Sequence, residues 1–339
     1  MVSGELRGPK SAPGGRRIPH DLRVELYYFV RELHDRGVSY RGIQRIVEKE
    51  YDVRISRSHI SYWIRGLHTP LNEPYNHVDT SKESELAWIA GMFVGDGSVK
   101  INRKGHFLVL KVKDRELAEA AANKLAIVLG RERRYAINRM GDRRYYVQVQ
   151  SRELVDHLEV WENILSHLER SPREFIQAFF DCEGGPTGCI GAYGAFFARI
   201  DVGNTNRELL EAVSSKLSDM GISSTVSMHY PRGKAFVTRK GRSVARSDCY
   251  LLRIYRRESI VKYSREIGFV TPRKQRKLRD IADILTEFGS GWEAAVEWIR
   301  RYEYKRGMGR QRWFRRKKFL DWDEALEEYQ RFLARKSSN

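Results

Sequence analysis

Two acidic dipeptides carry the chemistry this sequence offers. Residues 89–97 read IAGMFVGDG and residues 176–184 read IQAFFDCEG. Each is an apolar stretch ending on a carboxylate followed by glycine, Asp96-Gly97 and Glu183-Gly184, and aligning the two sets Gly91 opposite Ala178. Small side chains at a shared position let two helices approach backbone to backbone. Packed side by side and parallel, such helices bring Asp96 and Glu183 together at their C-terminal ends. The carboxylates then repel each other and face the negative ends of two helix dipoles, which raises their pKa values. A divalent cation between them relieves that cost. Oxygen ligands of this kind suit Mg²⁺ (or Mn²⁺), which takes one or two carboxylates and fills its shell with water and a phosphate oxygen. Beside nucleic acid, such a cation favours ionised water and stabilises the leaving oxygen of phosphodiester hydrolysis. A single helix of this type reads equally well as a core helix stopped by Asp-Gly. Two at equivalent places do not.

The elements that must position these ends form a repeat from residue 85 onward. In the first copy a helix (86–97) precedes an alternating strand, 106-HFLVLKVKD-114, and a helix, 115-RELAEAAANKLAIVLG-130. Strand-like segments at 133–140 and 143–150 and a short helix near 152–160 complete it. The second copy runs helix 174–184, strand 195–204, helix 206–221, strands 224–230 and 249–255, and helix 258–267. RELAEAAANKL and NRELLEAVSSKL match in kind and position. Two αββαββα-like units in tandem make an α+β fold.

These motifs resemble those of single-chain, two-motif LAGLIDADG homing endonucleases. IAGMFVGDG matches the nine-residue motif well. IQAFFDCEG departs from it, with Gln177 for the usual small second residue and Cys182 for the usual Ala; Glu for Asp is a common variant. The resemblance spans roughly residues 85–280 and includes 247-SDCYLLRIYRRESIVKYSREIGF-269. It implies pseudo-twofold repeats whose sheets form saddles over the DNA major groove, and cleavage of both strands of a long site with two acids and Mg²⁺. Carried over, Asp96 and Glu183 are metal ligands, grouped with the residues before them, Gly95 and Cys182. Lys274 in 272-PRKQRKL-278 matches the basic catalytic-pocket residue, with Lys277 in reserve. The corresponding 169-ERSPRE-174 has Arg170 and Arg173 but no lysine, which argues against equal cleavage of the two strands. Asp114 and Asn206 sit where members position a water. Base reading falls to the strands: Lys111, Lys113, Arg143, Arg144, Gln148 and Gln150 in the first repeat, and Arg199, Asp201, Arg253 and Tyr255 in the second. Alternation puts Lys111 with Lys113, and Gln148 with Gln150, on one face. Arg and Gln suit guanine and adenine edges, although any single one serves phosphate more readily than sequence.

Outside the repeats, residues 19–68 hold three helical segments. The last, 56-SRSHISYWIRGL-67, carries Arg57, Ser58, His59, Tyr62 and Arg65. Gly37 ends the first segment, Ser39 caps the second, and Ser56 or Ser58 caps the third. This resembles the small helix-turn-helix modules of resolvases and transposases, and implies DNA docking. Residues 1–18 read as a flexible basic arm and 69–84 as a linker. The repeats occupy 85–170 and 171–280, and 281–339 reads as a basic helical extension. Ten of the twenty residues in 300-RRYEYKRGMGRQRWFRRKKF-319 are cationic, interleaved with aromatics, which suits phosphate contact and stacking; Arg315, Arg316 and Lys317 are the candidates there.

A net charge of +18 over 339 residues, with pI near 9.8, calls for a polyanionic partner. Double-stranded DNA with a long target is expected, intron RNA is a second possibility, and a membrane is not expected, since no 18-residue apolar run occurs. Cys182, Cys189 and Cys249 form no CxxC pair, so neither a disulfide framework nor a zinc site is indicated. A freestanding cytoplasmic, nucleoid-associated monomer is expected, because Met1 and the closing KSSN carry no intein splice signature. The wealth of Arg, Tyr and ion-pairing charge suits a thermophile or archaeal mobile element. The leading function is a site-specific Mg²⁺-dependent DNA endonuclease. The alternatives are a cleavage-deficient DNA-binding regulator on the same fold and an intron RNA maturase.

Overall fold

A computed structural model describes residues 18, 20–67, 70, 77–103, 105–141, 143–191, 193–238, 241–307 and 310–337. The expected arm, apart from Ile18, lies outside these, as do residues 69 and 71–76 of the expected linker. The chain divides into two compact units, Met1–Tyr75 and Asn76–Asn339.

The first unit is a three-helix bundle of α1 (His20–Asp35), α2 (Tyr40–Tyr51) and α3 (Arg57–Ile64). Ser39 accepts the Gly42 N–H at 3.2 Å, and Ser56, not Ser58, accepts the His59 N–H at 3.1 Å. Each such cap contributes about 1 kcal/mol. Leu26, Val30, Ile43, Val47, Ile60 and Trp63 form the bundle's own core. That leaves Arg57, Ser58, His59, Tyr62 and Arg65 on the exposed side of α3 and just beyond it.

The second unit opens with α4 (Glu83–Asp96), β1 (Gly97–Asn102), β2 (Gly105–Val112), α5 (Arg115–Val128), β3 (Ile137–Arg139), β4 (Tyr145–Gln150) and α6 (Arg152–Glu159). A further helix, α7 (Trp161–Arg170), leads to the second repeat: α8 (Pro172–Glu183), β5 (Gly184–Ile190), β6 (Phe196–Asn204), α9 (Arg207–Asp219), β7 (Thr225–Tyr230), β8 (Ala235–Thr238), β9 (Gly241–Val244), β10 (Cys249–Ile254) and α10 (Arg257–Glu266). The antiparallel sheets have matching orders, β1-β2-β4-β3 and β5-β6-β10-β7. Their registers match too: the glycine after each acid, Gly97 or Gly184, pairs with Leu110 or Val202. The hairpin β8–β9 belongs to the second repeat alone and was not visible in the sequence pattern. Val78 is buried and the Asp79 N–H donates to Val128 O at 2.8 Å, so the end of the expected linker already belongs to this unit.

Residues 86–92 of α4 are buried without interruption, as befits a helix that is apolar all round and central to a core. Where α4, α6 and α7 meet, a buried polar chain forms. The His157 and His167 Nε2 atoms lie 2.8 Å apart, and His167 Nδ1 lies 2.7 Å from Glu83. Asn163 donates to the His157 carbonyl at 2.9 Å. Its amide also lies 3.2 Å from His157 Nδ1.

The C-terminal extension is largely helical, as expected, but a hairpin interrupts it. It comprises α11 (Pro272–Phe288), α12 (Trp292–Arg301), a hairpin of β11 (Tyr302–Gly307) and β12 (Arg310–Arg315), and α13 (Trp322–Ser337). The charge-dense run folds as strands because it closes a buried network. Tyr302 stacks on Trp298 at 3.9 Å and donates to Asp280 at 2.8 Å. Glu297, 1% exposed, accepts from Arg300 and Arg301. Arg315 donates to Asp280 at 2.8 Å, and Arg316 to both Glu328 oxygens at 2.7 Å. Arg315 and Arg316, expected to serve nucleic acid, both pair with acids of their own unit, Arg315 while staying exposed. Lys317 is exposed just past β12.

Candidate active site

Two helices carry the acids, and glycine brings them together. A Cβ on Gly91 would lie 2.3 Å from the Phe175 carbonyl oxygen, and one on Gly95 would lie 2.5 Å from the Cys182 Cβ. Contacts that advance in step along both chains make α4 and α8 parallel neighbours. Asp96 and Glu183 are the last residues of those helices. Burial pushes the Glu183 carboxyl up to about 7, with the Asp96 charge as the second cause and Lys274 opposing. Burial also raises the Asp96 carboxyl, against the pull of Cys182, Lys274, Lys113 and Arg144.

Lys274, third residue of α11, reaches back to the end of α8. Its Nζ donates to Asp181 O at 2.5 Å and lies 3.5 Å from Phe180 O, so an ammonium meets the negative end of the helix. Burial lowers its pKa while the Asp181 charge raises it. Asp181, 3% exposed, accepts the Val270 N–H at 2.6 Å and the Thr271 N–H at 3.2 Å. It thereby pins the start of α11 and places Lys274. Sequence reasoning missed Asp181; the signal was an acid standing where the first motif has Val94.

The other expected residues fall into distinct places. Lys277, its amine pushed down to about 8 by burial, lies over the Trp298 ring at 5.8 Å. Arg170 pairs with Glu83 at 3.3 Å, and Arg173 donates to Glu266 O at 2.6 Å. Arg173 lies in the first turn of α8, about 15 Å along the axis from Glu183. The cations that act on Asp96 are Lys113 and Arg144, together with Lys274 from the other repeat. Cys182 offers no thiolate, since burial holds its thiol well above its ordinary pKa and its sulfur lies 3.3 Å from Met92 Sδ. Gly95 and Cys182 can present only their backbone carbonyls, which fall in the last helical turn. Asp114 lies 3.6 Å from Arg273. Asn206, expected to position a water, accepts the Leu209 N–H at 3.0 Å as the cap of α9.

Cross-strand pairs share a face of a sheet. Lys111 stands opposite Tyr146, Val109 opposite Gln148 and Phe107 opposite Gln150, on the face away from buried Val147 and Val149. Arg143 is exposed in the turn before β4, with φ +66°, and Arg144 and Lys113 lie at the same strand ends. On the second sheet Arg199 and Arg253 share Asp201, at 2.6 and 2.9 Å, and Tyr255 is exposed beyond β10.

Among the described residues no three His, Cys, Asp or Glu side chains converge into a metal cage. Two oxygen donors at adjoining helix ends, one held half-protonated near neutrality, do fit a hard divalent cation that keeps most of its waters. Among the described residues no helix is long and apolar enough to cross a membrane.

A LAGLIDADG-like domain profile matches residues 83–160 and 171–268. The uncharacterized protein MJ0398 of Methanocaldococcus jannaschii is 26% identical over 264 residues, 77% of this chain and 94% of that protein. The uncharacterized protein MJ0314 of the same organism is 24% identical over 157 residues, 44% of this chain and 59% of that protein. Similar solved structures include I-DmoI in complex with DNA and Ca, at 21% identity and TM-score 0.42, covering 58% of this chain and 98% of that one. Full-length DUF199/WhiA from Thermatoga maritima follows at 16% identity and TM-score 0.37, covering 63% and 64%. I-AabMI bound to uncleaved DNA follows at 11% identity and TM-score 0.40, covering 63% and 96%.

Proposed function

This chain belongs to the LAGLIDADG-like domain family, and from that premise we propose that it is a site-specific, divalent-metal-dependent DNA endonuclease acting on a long double-stranded target. The observation that carries the reading is the retained pair of carboxylates, Asp96 and Glu183, seated at adjoining helix ends where their charges are unfavourable. A protein that only bound DNA would gain nothing from acids placed against phosphate.

Each acid comes from a different repeat, so each is placed to serve one strand. A bound divalent cation would supply the charge that favours ionised water at neutral pH and offsets charge building on the leaving oxygen. Asp96 and Glu183 would hold it, with the Gly95 and Cys182 carbonyls as further oxygen donors. Lys274 has three donors, of which Asp181 O and Phe180 O engage two. The third is free to meet a phosphate oxygen and to stabilise the charge of the transition state. Lys113 and Arg144 take the corresponding duty beside Asp96, Lys113 from an exposed position. Lys111, Gln148, Gln150, Arg199 and Arg253 contact the duplex from the open faces of the two sheets. The exposed side of α3 lengthens the recognised site.

One observation favours a second reading, a DNA-binding regulator with weakened cleavage: Arg170 and Arg173 are tied into structural contacts, so no first-repeat counterpart of Lys274 exists at that place. Incubating the protein with a randomised duplex library, with and without Mg²⁺, separates the two. Metal-dependent cuts that vanish in Asp96→Asn and Glu183→Gln support the endonuclease. Tight specific binding with no cut under Mg²⁺ or Mn²⁺ replaces it with the regulator, and binding confined to structured RNA replaces both with a maturase.

A further inference from the structure

The second repeat carries a piece that the first lacks. β3 and β4 are joined by a tight turn in which the Met140 N–H donates to Arg144 O at 2.7 Å. Between β7 and β10 the chain instead runs out and back through β8 and β9, paired from Ala235–Val244 to Thr238–Gly241. The Gly233 N–H donates to Ala245 O at 2.9 Å and the Ala245 N–H to Lys234 O at 3.0 Å, so the pairing continues towards the main sheet. At its foot Asp248 accepts the Arg232 N–H at 2.7 Å. A two-stranded ribbon therefore stands on the ends of β7 and β10.

Nothing in folding alone accounts for this ribbon. Two strands without a packed face are marginal in water. Among the described residues β8 and β9 make their main contacts with each other; Phe236 tilts against Tyr230 at 6.1 Å at the base, yet Phe236 and Val244 stay 40% and 58% exposed. The segment 231–248 carries six cations, Arg232, Lys234, Arg239, Lys240, Arg242 and Arg246, against one acid, Asp248. So concentrated a positive charge repels itself unless a polyanion lies along it.

The geometry points to this ribbon as a separate DNA-docking surface that continues past the half-site read by the second sheet. Its cations meet phosphates while the face that carries Val244 and Arg242 turns to base edges in the major groove, which is wide enough for a two-stranded ribbon. Eight residues out from Pro231 span about 25 Å at 3.3 Å per residue, on the order of seven base pairs. The bound site is then lopsided, longer on the side of the second repeat. The inference rests on the DNA reading above.

The test is hydroxyl-radical footprinting of the full chain on its selected target, in an Asp96→Asn/Glu183→Gln background in which neither acid can serve a strand. It compares the intact ribbon with Lys234→Gln/Arg242→Gln/Arg246→Gln, and with a chain in which residues 234–245 are replaced by a two-residue Asn-Gly turn. Protection should contract by about five to eight base pairs on one side only, with the centre unchanged. The slope of log affinity against log salt should fall by about 2 to 3 in the triple variant. An equal footprint on both sides, or an unchanged flank and slope in both variants, overturns the ribbon and leaves the endonuclease reading standing. No specific footprint with the ribbon intact overturns both.

Discussion

At the scale of residues, the site is a balance of charges around two acids. The folded state raises the Glu183 carboxyl from 4.5 to about 7. The stability it contributes is thus present below pH 4.5 and lost as pH rises through 7. Metal-free protein should lose about 1–3 kcal/mol between pH 5 and pH 8, the lower values allowing for solvent screening. Glu183→Gln should flatten that loss, as thermal melts in EDTA would register. Adding Mg²⁺ at pH 8 should raise the melting temperature of the unaltered protein and not that of the variant. Lys274→Met should lower cleavage by about 10²–10³ while leaving affinity within a few-fold, measured by single-turnover cleavage beside equilibrium binding. The two acids were legible because apolar runs seldom end twice on an acid and glycine. Asp181 was not: its partners, Val270 and Thr271, lie some ninety residues away, and an acid inside an apolar motif has no local signature.

At the scale of elements, the α4–α8 contact is the one on which the rest depends. Gly91→Ala would drive a methyl group into the Phe175 carbonyl, costing about 1–3 kcal/mol, and should reduce cleavage more than binding because the acids ride on these helices. Calorimetry together with cleavage assays checks both parts. The polar chain at α4, α6 and α7 sets an opposite pH limit. Burial, then His167 and Arg170, depress the His157 pKa below 6.5, while Glu83 and Glu153 oppose. Stability should therefore fall as pH drops from 6.5 through that lowered value. In a Glu183→Gln background, which removes the carboxyl's contribution, His157→Gln should reduce the fall below pH 6.5 in urea unfolding. The helices and the alternating strands were readable from period and capping residues such as Ser39 and Ser56. The β11–β12 hairpin was not, because Arg and Lys fill positions whose order comes from Asp280, Glu297 and Glu328. The strands β8 and β9, four residues each, are too short for an alternating pattern to register.

At the scale of the whole molecule, the charge of +18 calls for a polyanionic partner but does not say which cations would serve it. Much of the C-terminal arginine is spent on buried acids. Removing residues 302–339 should accordingly do more than weaken DNA binding. It strips Tyr302 and Arg315 from Asp280, and breaking such a buried pair costs about 3–5 kcal/mol, a fall of roughly 10 °C or more in melting temperature. A truncated chain that melts like the full one would refute this. Residues 76–339 without the helical bundle should keep their own transition, since the two units hold separate cores. The contact at Gly91 has a wider consequence. It rests first on a peptide carbonyl, with the Ala178 methyl and, a turn further on, the Cys182 side chain beside it, so the span between Asp96 and Glu183 is set within α4 and α8 and not by the sheets. Under the proposed function, the open faces of the sheets can change, and with them the duplex they read, without recalibrating the acids for as long as position 91 remains bare.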